Sequence, residues 1–528
     1  MSLSISSLIC LVISLLILTV ISPAFAAKDS IVLAVGGENA EGYDPILGWG
    51  SYGNPLFHST LLKRNADLEI VPDLAEEWTL SKDRLTWSIK IRKSVLFSDG
   101  SPLTADDVAF TFNKGLDSGG KIDLSPLEAA TVRDPQTIAF KLKEPDITFI
   151  QHLITLGIVP KKLYAPDYGR NPVGSGPYKL VRWDEGQQMV VEINEFYYGE
   201  KPFIKKVVFL FSEEDAALAA ARAGEVDLLG VPSSLAKQSI PGMRLHVVKS
   251  VDNRGLMFPT VPDEGDKTPK GLSIGNNVTA DVAIRKAVNY AIDRETLVAG
   301  VLDGYGRAAY GVVDDLPWDN PNIHFQDNNP DKAIAILEEA GWKDIDGDGV
   351  REKDGVPAEF VILYNAKDSL RQGLALAVSD MLKPIGIKAI PKGESWDRIK
   401  SVLTHTNVVV YGFGDHSPLE MYKLYHSPIS EPMYWNAGFY SNPVVDRYLE
   451  QARAAESFEA SIPLWQKAQW DGKEGFTFPG DATWAWLVNL DHTYFINNCL
   501  DVGKSQMEPH GHGWPITANI QQWKWNCQ

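Results

Sequence analysis

The chain has 528 residues, too many for one hydrophobic core, so two or three domains of roughly 150–200 residues are expected. Its 44% apolar and 22% charged content is that of a globular protein, and no repeat or low-complexity tract interrupts it. A formal net charge of −18 argues against nucleic acid as a partner, because phosphate binding needs a basic face.

Leu3 to Ile21 is almost wholly apolar and Ala24-Phe25-Ala26 follows. These are the hydrophobic segment and small-residue cleavage site of a secretory signal over residues 1–26, although no Lys or Arg precedes Leu3. Cys10 lies mid-segment rather than at the cleavage point, so it is not read as a lipid-attachment cysteine. Beyond residue 26 no apolar run is long enough to span a bilayer, and an exported mature chain is expected. Cys499 and Cys527 then remain, either as a disulfide pinning the tail or as two buried thiols.

Ser30 to Val35 is a run of the buried-strand type. A glycine-rich loop, Gly36 to Pro55, follows and carries Tyr43, Trp49 and Tyr52. Within it Gly48 to Gly53 matches GxGxxG. The strand ends well upstream and Pro55 comes at once, so the dinucleotide reading fails. The aromatic rings suit either the rim of a ligand site or inward packing. Thr86 to Ile91 alternates like a half-buried strand, and Thr104 opens a helix with Asp106 and Asp107 in its first turn. Thr137 to Leu142 is another strand. Gly174 and Gly176 flank Ser175 and leave the backbone open to close approach by another segment or a ligand. Tyr178–Trp183 and Met189–Ile193 read as a hairpin across a turn at Asp184–Gln187. The strand Lys206–Phe211 leads through a cap at Ser212–Asp215 to a helix, Ala216–Ala223, that stops at Gly224. Strand-to-helix alternation of this kind belongs to an α/β domain.

Pro, Gly, Asp and Lys cluster from Asn253 to Asn277, where a domain crossover is expected. Ala280–Ala291 is amphipathic at helical spacing; Asp331–Ala340 and Gln372–Pro384 are further helices. Gly386–Ile390 and Val408–Tyr411 read as strands. Asp344 to Val350 imitates a calcium loop, with acids at loop positions 1, 3 and 5 and glycine at 6. Position 12 is Gly355 instead of the bidentate Glu, so the segment reads as a structural turn.

For catalysis there is no GxSxG, HExxH, P-loop or CxxC, and no spacing that assigns a nucleophile and its base. The informative constellation is histidine with aromatics in late loops. His510 and His512 stand at i and i+2, which in an extended chain point to one side, and imidazole suits Ni(II), Cu(II), Zn(II) and Co(II). A solvent-exposed histidine pair is the alternative. His416 in Gly414-Asp-His-Ser-Pro418 adds a second candidate, with Asp415 placed to orient a ring. His426 and His492 read as structural.

Two longer motifs carry a family resemblance. Asn171 to Pro202 resembles the GTGPY…N…Y segment of the large extracytoplasmic solute-binding proteins of ABC importers for peptides and nickel, with Ser175 where threonine is usual. Arg92 to Asn113 resembles that family's kFhDGtplTAeDV block, and Ala280 to Arg294 its vRqAlnyAiDr helix. The resemblance implies an α/β, two-lobed periplasmic-binding-protein fold of the large type, with a ligand cleft between lobes. The first lobe would comprise 27–256 and 488–528, with an inserted subdomain at about 66–170; the second would be 257–487. It implies a periplasmic monomer that is not an enzyme and has no cofactor, whose partners are a transported ligand and the permease subunits.

The stretches Tyr411 to Tyr422 and His510 to Pro515 resemble the nickel-binding branch of that family. This implies Ni(II) cargo, held as a small chelate such as a nickel–histidine complex. His416, His510 and His512 would be ligands, with Trp49, Tyr52, Trp396, Tyr411 and Trp514 as the wall and Arg307 on a chelator carboxylate. An oligopeptide or dipeptide is the alternative cargo.

Overall fold

The computed structural model describes residues 28–39, 42–53, 56–118, 122–427, 435–511 and 514–527. The expected signal segment with Cys10, and His512, lie outside the described residues.

One large mixed sheet organises the chain. Its strands run in the order Lys388–Glu394, Glu359–Asn365, Val408–Tyr411, Met243–Met257, Trp484–Asn497, Leu228–Val231, Ser30–Ala34, Lys206–Leu210, Gln188–Ile193 and Tyr178–Asp184. Gly306–Ala308 pairs additionally with Trp484–Asn497. Toward one edge Ser30–Ala34 lies parallel to both of its neighbours; toward the other Glu359–Asn365 does the same. Parallel neighbours need crossover connections, which accounts for helices between the strands at both ends. In the middle, Met243–Met257 and Trp484–Asn497 pair antiparallel almost end to end, from Met243↔Asn497 to Met257↔Trp484.

Each end has its own core. At one end Ile284, Val288 and Leu374 of the helices Val282–Ala291 and Ser369–Leu382 pack on Leu256, Ile362 and Val410 of the sheet. At the other, Ile31, Val207, Tyr178 and Val191 pack with Trp514 and Trp523 of the tail. A separate four-stranded antiparallel sheet, Ala75–Leu80, Thr86–Ile91, Thr137–Leu142 and Leu127–Asp134, is backed by the helix Ala105–Ser118 around Ile89, Phe112 and Phe140. Thr86–Ile91 alternates half-buried and buried residues, as its pattern predicts. At Thr104 the side chain of Asp107 accepts both the backbone N–H and the hydroxyl at 2.8 Å, which is the acidic half of a capping box.

Two local expectations change. The helix after Lys206–Leu210 runs over Glu214–Arg222, and its capping residue is Glu213, without a side-chain bond. The negative charges of Glu214 and Asp215 in the positively polarised first turn take the place of a Ser212 cap. Gln372–Pro384 becomes the helix Ser369–Leu382, capped by Asp368, with Pro384 in a short 3-10 turn beyond it. The tail is closed by a Cys499–Cys527 disulfide.

The glycine corner receives protein, not ligand. A Cβ on Gly174 would lie 2.1 Å from the carbonyl oxygen of Phe57, and one on Gly176 2.6 Å from that of Leu56. The N–H of Gly176 donates to Phe57 at 2.9 Å, and the Ser59 hydroxyl to the Ser175 carbonyl at 3.0 Å. The aromatic loop that begins at Gly36 is thereby stitched at Leu56–Ser59 to the start of the hairpin. Gly174→Ala is expected to lower stability by about 1–3 kcal/mol through forced backbone displacement. Gly37→Ala, with no neighbouring atom within 4 Å, should change it by less than about 0.5 kcal/mol. Urea denaturation of the two variants checks this; equal effects would contradict it.

Candidate functional site

The site grows from an irregularity between the two long strands. Lys249 faces Asp491 and Asn253 faces Asn489, so Ser250, Val251 and Asp252 together oppose Leu490 alone. Such a bulge frees backbone groups and re-aims side chains. The tail takes up the freed groups: Val251 N–H donates to the Glu508 carbonyl and Glu508 N–H to the Lys249 carbonyl, both at 2.8 Å. The loop after Val408–Tyr411 takes up the others. Asn253 N–H donates to the Phe413 carbonyl at 2.9 Å, and Phe413 N–H to the Asn253 side chain at 3.0 Å. This approach depends on Gly412 and Gly414. A Cβ on Gly414, whose φ is +144°, would stand 2.4 Å from the Val251 carbonyl oxygen. His510 N–H donates to the Gly414 carbonyl at 2.8 Å, joining tail and loop directly.

Asp252 sits in this bulge, 3% exposed, and three cationic or ionisable side chains converge on it. Arg254 bonds both carboxylate oxygens, His510 Nδ1 lies 2.5 Å from Oδ1, and His492 Nε2 lies 3.4 Å from Oδ2. The other nitrogen of His492 meets Glu508 at 2.6 Å, where Tyr494 also donates at 2.7 Å. Burial alone would lower the His492 pKa. Its hydrogen bonds to Asp252 and Glu508, with both negative charges beside it, raise it instead to about 10. Burial would likewise raise Asp252, yet Arg254 and the two histidines hold it well below the usual carboxylate range. The group is therefore an ion cluster linking both long strands to the tail.

His416 lies beside this cluster, 5% exposed. Its carbonyl accepts from Arg64 at 2.7 Å, and Arg64 also bonds Gln151 at 2.8 Å, so the unit of the four-stranded sheet closes over the loop. Burial, then the Arg64 charge, pushes the His416 pKa down to about 3, which keeps the imidazole neutral. Its Nε2 has no hydrogen-bond partner among the described residues. Asp415 and Glu420 lie alongside. Glu420 accepts the N–H groups of Gly414 and Asp415 at 3.0 and 3.2 Å, and burial plus the Asp415 charge lifts it to about 8. Asp415 itself is raised by burial, opposed by Lys423 and Arg64.

The structure sorts the remaining candidates. Trp396 and Tyr411 stack 5.6 Å apart and nearly parallel, with the Arg371 guanidinium 5.3 Å from the Trp396 ring centroid. Trp49 and Trp514 are buried against each other at 5.3 Å and against Tyr43, inside the core beneath the hairpin. Inward packing, one of the two expected arrangements, is what these rings adopt. Tyr52 is half-buried, its ring 6.1 Å from that of His510. Arg307 lies at the flank of the bulge: Nε meets Asp315 at 2.6 Å and Nη2 donates to the Ser250 carbonyl at 3.0 Å. Arg254 and Arg371, 8% and 9% exposed, are the arginines buried at the site. Burial and then the Arg254 charge lower the Arg371 pKa to about 10, although Asp368 opposes this. Sequence reasoning missed both. The one available signal was charge inside the otherwise apolar end of a strand, at Asp252 and Arg254.

Comparison with known proteins accords with this architecture. Residues 69–434 match the family described as bacterial extracellular solute-binding proteins, family 5 Middle. The chain belongs to this family. It is a solute-binding protein of the peptide/nickel class of ABC importers, and its family binds solutes rather than catalysing reactions. It is 32% identical to Protein XP55 of Streptomyces lividans over 91% of this chain and 87% of that one. It is 28% identical to the oligopeptide-binding protein AppA of Bacillus subtilis, over 76% and 75%. It is 27% identical to the nickel-binding periplasmic protein of Escherichia coli, over 70% and 72%. The crystal structure of NikZ from Campylobacter jejuni in complex with Ni(L-His) superposes with a TM-score of 0.79. That match has 24% identity and covers 94% of this chain and all of that one, which shows the two-lobed fold.

The ion cluster sets a pH signature. His492, raised above an unfolded value of about 6.5, stabilises the fold fully below that pH. The contribution is lost as pH rises toward 10. His492→Gln removes the charged partner of the buried Glu508, while Asp252 keeps Arg254 and His510, and should cost about 3–5 kcal/mol at pH 6. Urea denaturation at pH 6, 8 and 10 should show the gap to wild type narrowing as pH rises; a constant gap would contradict it.

Proposed function

We propose that this protein captures nickel as a small chelate bearing a carboxylate, such as a nickel–histidine complex, and delivers it to a membrane permease. The observation that carries this reading is His416. It is buried, held neutral, and its Nε2 has no partner among the described residues. Neutral imidazole is the form that binds a borderline divalent metal. His510, with Nδ1 on Asp252, has the carboxylate–imidazole arrangement that orients a metal-ligating ring, and His512 two residues on completes the proposed set.

The chelator carboxylate is assigned to Arg254 and Arg371, which are also ion-paired, with Asp252 and Asp368, but lie together, Arg371 beside the Trp396 ring. The Nε of each is buried without a hydrogen bond among the described residues. Trp396 and Tyr411 supply a flat wall beside them. The lobes proposed from the sequence, 27–256 with 488–528 and 257–487, then meet where the two long strands cross. Closure about that crossing excludes water and presents a new surface to the permease. The signal over residues 1–26 would place the mature protein in the periplasm.

A peptide is the second reading. The observation in its favour is the adjoining pair of half-buried Asp415 and buried Glu420, both raised in pKa, which a cationic amino terminus would relieve. Calorimetry of the mature protein with Ni(II), with and without L-histidine, and with a nonapeptide separates the two. Nickel–histidine is expected to bind, and His416→Ala to weaken it tenfold or more, about 1.4 kcal/mol. Unchanged affinity in that variant, or tight binding of the peptide alone, would overturn the nickel reading.

A further inference from the structure

Away from this site, a second group of metal-ligating side chains lies in the loop that follows the short strand Gly306–Ala308. Asp314 is 5% exposed. Its Oδ2 accepts the Tyr310 N–H at 2.8 Å and the side-chain amide of Asn489 at 3.0 Å. Its Oδ1 is buried and takes no hydrogen bond from the described residues, and the same is true of Asp319 Oδ1. His324 Nε2 stands 3.5 Å from Asp319 Oδ2, with the Tyr310 ring 4.9 Å away. One ligand atom from each of Asp314, Asp319 and His324 falls within 4.8 Å of the others. The nearby cations are already engaged: Arg294 pairs with Asp327 at 3.0 Å and Arg307 with Asp315.

Two buried carboxylate oxygens facing a shared space without a donor are costly unless something positive sits between them. An ion with bonds of about 2.1 Å holds tetrahedral ligand atoms about 3.4 Å apart. Imidazole together with carboxylates suits a borderline ion better than calcium or magnesium. The His324 side chain is 46% exposed, which gives an ion entry from solvent.

We propose that Asp314, Asp319 and His324 form a divalent-cation site of the two-carboxylate, one-imidazole type, suited to Zn(II). Asp314 is anchored through Asn489 to the long strand Trp484–Asn497. The Asp319 carbonyl accepts from Gln466 of the helix Phe458–Gln469 at 2.8 Å. A bound ion therefore clamps this loop between strand and helix. This site shares no residue with the proposed cargo site, and its occupancy is independent of which cargo is carried. Without an ion, burial and the Asp319 charge push Asp314 up to about 7, so a proton on Asp314 is the competing arrangement.

Metal-stripped mature protein titrated with Zn(II) at pH 7.5 tests the assignment, with metal analysis giving ions per chain. Wild type and His416→Ala should both take an ion that His324→Ala and Asp319→Asn each bind at least tenfold more weakly. Bound Zn(II) should also raise the melting temperature of wild type but not of His324→Ala. His324 is half-exposed, so its removal leaves the packing intact, and circular dichroism verifies the fold. Wild-type zinc stoichiometry and affinity in both loop variants would overturn the site and leave a proton on Asp314 as the explanation.

Discussion

A single carboxylate, that of Asp252, lies where three parts of the chain must agree. The bulge that exposes it exists because one long strand carries three residues against one of its partner. The groups it holds come from that strand, from the opposite strand and from the tail: Arg254, His492 and His510. An unpaired buried carboxylate costs several kcal/mol, so neither strand nor tail can move off this point independently. The glycines at 412 and 414 then let the loop bearing Asp415, His416 and Glu420 settle directly on the bulge. The loop bearing His416 is thus positioned by an electrostatic node between the two long strands.

This arrangement separates rigidity from opening. Within each half, parallel strands and helices bury large apolar cores. Polar and apolar contacts also join the four-stranded-sheet unit to the segments near His416 and Arg453, Phe458 packing on its core. Arg64 reaches the His416 carbonyl, and Arg453 of the helix Pro443–Arg453 meets Asp146 at 2.5 Å. Polar contacts of this kind exchange for water at small net cost. The ions buried between the two long strands fix the register of their pairing.

Much of the fold was legible in the sequence. Thr86–Ile91 alternates because one face is buried, and Ala280–Ala291 shows a helical stripe because one side packs on the sheet. Gly174 and Gly176 revealed a close approach. That the approaching atoms belong to Leu56–Ser59 depends on distant pairing, which local pattern does not encode. The candidate site was legible in part. The loops of His416 and His510 do come together, within 2.8 Å of backbone. Arginines resisted prediction because a guanidinium reads alike in sequence whether its ion pair is buried, as at Arg254 and Arg371, or reaches an exposed partner, as at Arg307. Tryptophan is similarly ambiguous: Trp396 stacks beside the site, whereas Trp49 and Trp514 fill the core. The bulge left only a faint trace, charge in an apolar strand, since it arises from the register of two segments far apart in the chain.

Hydrogen exchange in an Asp252→Asn variant measures the node most directly. If this carboxylate fastens the halves, amides of residues 412–416 and 508–510 should lose protection together, while the hairpin Tyr178–Ile193 exchanges as in wild type. Unchanged protection in both segments, or loss in one without the other, would contradict the account.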